Sequence, residues 1–142
     1  MVEPVVIEPT IMRSIGDCSI CCLKMLLGVS YPEIIAAVAR RRQKTVHEDG
    51  LTTLQMIYVG RRLGFKLVYH DKPKDDEIGI LDLVRGDEGH VVMYLKGIIY
   101  NPADGELWTD DVAFLKRGGW SIEGFLWRQQ EEPDTKDEEE FE

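Results

Sequence analysis

Three residues in this chain have types and settings suited to nucleophilic chemistry: Cys18, His90 and Asn101. Cys18 follows Asp17 at the head of an apolar run, Cys18-Ser19-Ile20-Cys21-Cys22-Leu23. Aspartate is a helix-capping type, so Asp17 is expected to accept a backbone N–H bond and leave Cys18 in the first helical turn. There the exposed amide dipoles favour a thiolate over a thiol. His90 opens a strand-like run, and an imidazole with an unperturbed pKa near ~6.5 is able to take a thiol proton close to neutrality. Asn101 stands 11 positions further on, before Pro102. A hairpin about Lys96-Gly97 would set it beside His90, where its amide would fix the imidazole tautomer.

Each of these residues also has a plainer role. Cysteine is among the residue types most often buried, so Cys18 could be a small core residue. His90 could be a strand histidine bonded to a carbonyl, and Asn-Pro is a natural turn. Asp104, in the turn from Asn101 to Gly105, is a second candidate for orienting the histidine. Cys21 and Cys22 fall on or near the apolar stripe and read as core, whereas His47 and His70 lie in polar segments and read as exposed. Cys18-Ser19-Ile20-Cys21 is also a C-x-x-C at a helix start, the arrangement of dithiol oxidoreductases. Too little chain precedes it for the strand–helix–strand unit that such proteins place there. A zinc site from Cys18, Cys21, His47 or His90 lacks a second spaced ligand pair.

The elements that must position these residues fall into a helical first half and a strand-rich second half, which predicts an α+β fold. The first helix is expected from Cys18 to about Leu27, stopped by Gly28. Ser30 and Glu33 form a capping box with Pro32 between them, opening a second helix that runs through Ile34, Ile35 and Val38 towards Arg40, Arg41 and Arg42. Thr52 and Gln55 form another box, with Leu51 placed to staple Met56 and Gly64 to end the helix. Strands are expected at Phe65 to Tyr69, Ile78 to Val84, His90 to Leu95, Ile98 to Tyr100 and Ile122 to Trp127, with a short helix from Asp110 to Lys116.

Composition narrows the function classes. At 142 residues the chain is most simply one domain over residues 1–128, and it carries an acidic stretch, 129–142, expected to be disordered. The net charge of −9 is concentrated there: residues 1–128 hold 18 acidic and 16 basic residues. With no basic surplus, nucleic-acid binding loses its electrostatic footprint. Three cysteines within five positions cannot staple distant segments, which suits a reducing, cytoplasmic setting. The N-terminal apolar run is too short to insert in a membrane and lacks the charge pattern of a signal peptide. The sequence leaves the oligomeric state open.

Asp-Cys opening a helix that ends near Leu27-Gly28, a later helix closing on Leu63-Gly64-Phe65, the Gly79-Ile80-Leu81 strand, Gly89-His90-Val91-Val92 and Asn101-Pro102 together resemble the bacteriocin-processing double-glycine peptidases and their stand-alone relatives. The resemblance spans roughly residues 10 to 105 and implies a papain-like cysteine peptidase fold, N-terminal helices packed on a C-terminal antiparallel β-sheet. It implies a Cys18-His90-Asn101 triad acting on a peptide or protein substrate without cofactor or metal, with cleavage after small residues such as paired glycines. Two positions depart from the pattern. Met12 stands where such enzymes place an oxyanion glutamine, with Arg13 and Ser14 the nearest donors, and loss of one such donor costs ~10²–10³ in rate. Ser19 stands where glycine is common and is expected to narrow access to the thiol. These departures keep a catalytically inactive peptide-binding or regulatory module as the alternative.

Overall fold

The computed structural model describes residues 17–74 and 76–128, and of residue 47 the backbone only. Position 12, its neighbours 13 and 14, and the acidic stretch 129–142 lie outside the described residues.

Helix α1 runs from Cys18 to Leu27 and turns at Gly28 into the left-handed conformation. Eight of its ten residues are buried, so it is apolar on nearly every side, as a helix at the centre of a core must be. Helix α2, Tyr31–Ala37, starts on the Ser30-Glu33 capping box, both halves of which form, with Pro32 in the first turn. Its end differs from the sequence expectation. Val38 and Ala39 are extended, and the Gln43 amide donates to the Val38 carbonyl at 2.9 Å, so the helix stops at Ala37. The three arginines form a separate 3₁₀ turn, Arg40–Arg42, and Arg42 Nη2 donates to the Gly50 carbonyl at 2.9 Å. A four-residue helix α3, Val46–Asp49, follows, anchored by the fully buried Val46; it has no periodicity that a sequence reading would detect. Helix α4, Thr53–Arg62, begins on the complete Thr52-Gln55 box.

Six strands then form one antiparallel sheet: β1 Leu67–His70, β2 Ile78–Arg85, β3 Glu88–Leu95, β4 Ile98–Asn101, β5 Glu106–Trp108 and β6 Ser121–Arg128. Their order across the sheet is β1-β6-β2-β3-β4-β5. Positive φ at both Lys96 (53°) and Gly97 (94°) makes the two-residue turn that pairs Leu95 with Ile98. β5, absent from the sequence reading, is only three residues long and pairs with β4 through Asn101↔Glu106. Helix α5, Asp111–Gly118, is capped by Asp110, whose carboxylate accepts the Ala113 N–H at 3.1 Å.

Strand alternation divides the core between the two faces of the sheet. Ile80, Val91, Met93, Tyr100 and Leu126 pack under α1, α2 and α4. Leu81, Leu83, Val92, Tyr94 and Phe125 pack on the other face, with Phe114 of α5 and the half-buried Trp108 and Trp120. The architecture is α+β, consistent with a papain-like peptidase domain. His70 departs from its expected exposure: it is half-buried at the end of β1, its ring 5.7 Å from Trp127, and its Nε2 is buried with no hydrogen-bond partner. Among the described residues no single helix is long and apolar enough to cross a membrane.

Candidate active site

Cys18 is the first residue of α1, half-buried, with its thiol against the backbone N–H of Val91 in β3. Asp17 does not cap the helix as expected: its side chain accepts no helix N–H. It is wholly buried and accepts instead from the Tyr31 hydroxyl of α2 and, at 3.8 Å, from Cys21 Sγ. The buried carboxylate thus joins the heads of α1 and α2. Ser19 is 2% exposed, and its hydroxyl accepts the Leu51 N–H at 2.9 Å, which ties the start of α1 to the loop before α4. Its role is therefore structural, and it does not project into solvent beside the thiol.

Burial pushes the Cys18 thiol above its ordinary value, outweighing the opposing effect of the backbone N–H groups of Val91, Ser19 and Cys18 itself, and the nearby Asp17 charge acts in the same direction as burial. The helix-terminus effect is present, but desolvation exceeds it. Cys21 and Cys22 are core residues, as the apolar stripe implied. None of the three cysteines is in a disulfide, and Cys21 is 1% exposed, which removes the accessible second thiol that disulfide exchange requires. Among the described residues no three of His, Cys, Asp and Glu come together as metal ligands.

His90 and Asn101 do meet: His90 Nε2 lies 2.8 Å from Asn101 Oδ1. The same oxygen accepts the Ala103 N–H at 3.1 Å. A backbone N–H can only donate, so this contact identifies the Asn101 atom as the amide oxygen. An amide oxygen only accepts, so Nε2 carries the proton, and in the neutral ring the lone pair falls on Nδ1. Asn101 therefore serves both as the turn former and as the histidine's partner. Asp104 does not compete for that place, because its carboxylate accepts the Glu106 N–H at 3.0 Å within the turn.

Alternation sends Val91 towards α1 and His90 towards the face that carries α5. There the imidazole lies 5.7 Å from the Trp120 ring at an interplanar angle of 32°. The thiol and the imidazole thus flank consecutive residues near the start of β3, and no hydrogen bond joins them among the described residues. Trp120 was not legible as part of this site. It follows Gly118-Gly119 and reads only as the residue after a helix end.

The structure thus sets a cysteine at the head of a buried helix against the strand that carries an asparagine-paired histidine. The family model of Peptidase C39 matches residues 11–81, and the chain belongs to this cysteine peptidase family. The matched segment includes Cys18 and ends before His90 and Asn101. Neither the curated proteins nor the solved structures gave a match.

Proposed function

We propose that this chain is a cysteine peptidase in which Cys18 is the nucleophile, His90 the general base and acid, and Asn101 the residue that orients the imidazole. The observation that carries the reading is the His90–Asn101 hydrogen bond, which commits Nε2 as donor and leaves Nδ1 as the basic nitrogen. Catalytic hydrogen bonds are often long in the absence of substrate, and this reading requires that Nδ1 close on the Cys18 thiol.

Nδ1 then takes the thiol proton, and Cys18 Sγ bonds to the scissile carbonyl carbon. The proton passes from His90 to the departing nitrogen as the C–N bond breaks, leaving a thioester on Cys18. Water gives a proton to the same imidazole, adds to the thioester carbonyl and releases the acid, and the proton returns to sulfur. The Val91 N–H beside the thiol offsets part of the cost of a buried thiolate.

The second reading, a non-catalytic peptide-binding module, is favoured by the raised affinity of the Cys18 thiol for its proton and by the absence of a bond to His90. Incubation with a mixed-sequence peptide library and mass spectrometry separates the two. New termini that appear with wild type and vanish with Cys18→Ala support the peptidase. Peptides retained but uncut by both proteins support the module.

A further inference from the structure

A recess of about 410 Å³ opens beside His90 on the α5 face of the sheet, lined by Arg85, Glu88, His90, Asn101, Phe114 and Trp120. Cys18 lies outside this lining. In an acyl-transfer reaction the acyl half of the substrate becomes bonded to the nucleophile, while the departing amine is the half that receives a proton from the base. A recess walled by the base but not by the nucleophile is therefore placed for the departing half.

Its wall is joined by several contacts. At position 118 a Cβ would fall 2.5 Å from Trp120 Cδ1, so the indole packs directly on the Gly118 main chain. The Arg85 guanidinium sits 4.1 Å over the indole, and is held by Glu88 Oε1 at 2.9 Å and by the Gly118 carbonyl at 2.7 Å. Arg85 and Glu88 offset each other in charge, so a ligand meets a guanidinium paired to a carboxylate and stacked on the indole, together with the imidazole and the largely buried Phe114 ring. A recess of this size, with the indole, the imidazole and the flat guanidinium in its lining, has room for one large flat side chain to stack there.

We propose that this recess is the leaving-group subsite and that it takes an aromatic side chain on the residue whose amine departs. The inference rests on the peptidase reading for its role, but occupancy of the recess is measurable without turnover. Phenylalaninamide and alaninamide carry the same amine and amide and differ only in the side chain. Each is titrated into ¹⁵N-labelled wild-type protein while the Trp120 indole N–H is followed by NMR, the signal being assigned by its loss in Trp120→Phe. The expected result is a saturable shift with phenylalaninamide in about the millimolar range, and binding of alaninamide at least ~10-fold weaker. Equal shifts with the two probes, or no shift with either, overturn the inference. An empty recess beside a His90-activated Cys18 sinks this inference alone. A filled recess beside an inert Cys18 sinks the peptidase reading and with it the leaving-group role.

Discussion

His90 has two neighbours of different kinds, an amide oxygen at 2.8 Å and a tilted indole ring whose centroid is 5.7 Å away. The amide fixes where the protons are. Asn101→Ala removes that acceptor and allows the other tautomer, which puts the proton on the nitrogen that must act as base. A loss of about 10²-fold in kcat with little change in KM is expected, measured on whichever peptide the library identifies. Asn101→Asp keeps an acceptor for both His90 and the Ala103 N–H and retains most of the rate. Asp82, outside the proposed triad, gives a pH signature. Burial raises the Asp82 carboxyl above its ordinary range, and the hydrogen bond from Thr53 Oγ1 at 2.9 Å opposes this. A carboxyl with a raised folded-state value binds more protons folded than unfolded, so its penalty on stability is absent at low pH and grows as pH rises through its folded value. Asp82→Asn keeps an acceptor for Thr53 without the charge. It should raise Tm by roughly 1–3 °C at pH 7 and hardly at all at pH 3, a modest gain because the group is only half-buried; calorimetry at both pH values checks this.

At the scale of elements, the helix starts were the most legible part of the chain. Ser30, Glu33, Thr52 and Gln55 satisfy local backbone groups within three residues of themselves, so their types and spacing suffice to identify them. Ser30→Ala and Thr52→Ala are each expected to cost about 1 kcal/mol in urea denaturation. The extent of α1 and the hairpin at Lys96-Gly97 were legible for the same local reason. What depended on partners far along the chain was not. Asp17 has the type of a cap, yet the Tyr31 hydroxyl recruits its carboxylate to join two helices. The arginines after Val38 suit a helix end, yet the Gln43 amide intervenes and they form their own turn. His70 sits among polar neighbours in sequence, yet β6 brings Trp127 over its ring. Gly79 lies between these cases. The sequence marked its strand, and the reason for glycine is tertiary: a Cβ there would meet the Leu126 carbonyl at 2.4 Å and the Phe125 ring at 2.6 Å. Gly79→Ala is therefore expected to destabilise by about 1–3 kcal/mol or more, since one of the contacts is backbone and cannot yield cheaply.

At the scale of the molecule, the sheet separates two environments that meet at the start of β3. The helical side supplies the proposed nucleophile in a largely dry setting, and the α5 side supplies an imidazole bonded to Asn101 with a recess beside it. Two of the three candidate residues were recoverable as a pair from the hairpin, because 11 positions with a tight turn between them return to the same place. The approach of Cys18, 72 positions before His90, depends on how α1 packs across β3, and the structure brings its thiol to the Val91 backbone one residue beyond. The central claim is that this last interval closes into a thiolate–imidazolium pair, and it is tested most directly by the pH dependence of Cys18 alkylation in wild type and in His90→Ala, followed by mass spectrometry. The account predicts that wild-type Cys18 reacts well below pH ~8.5, because the closed pair outweighs the burial that raises the unpaired thiol, and that His90→Ala leaves it titrating above an ordinary cysteine, as burial dictates. The same high titration in both proteins would contradict it.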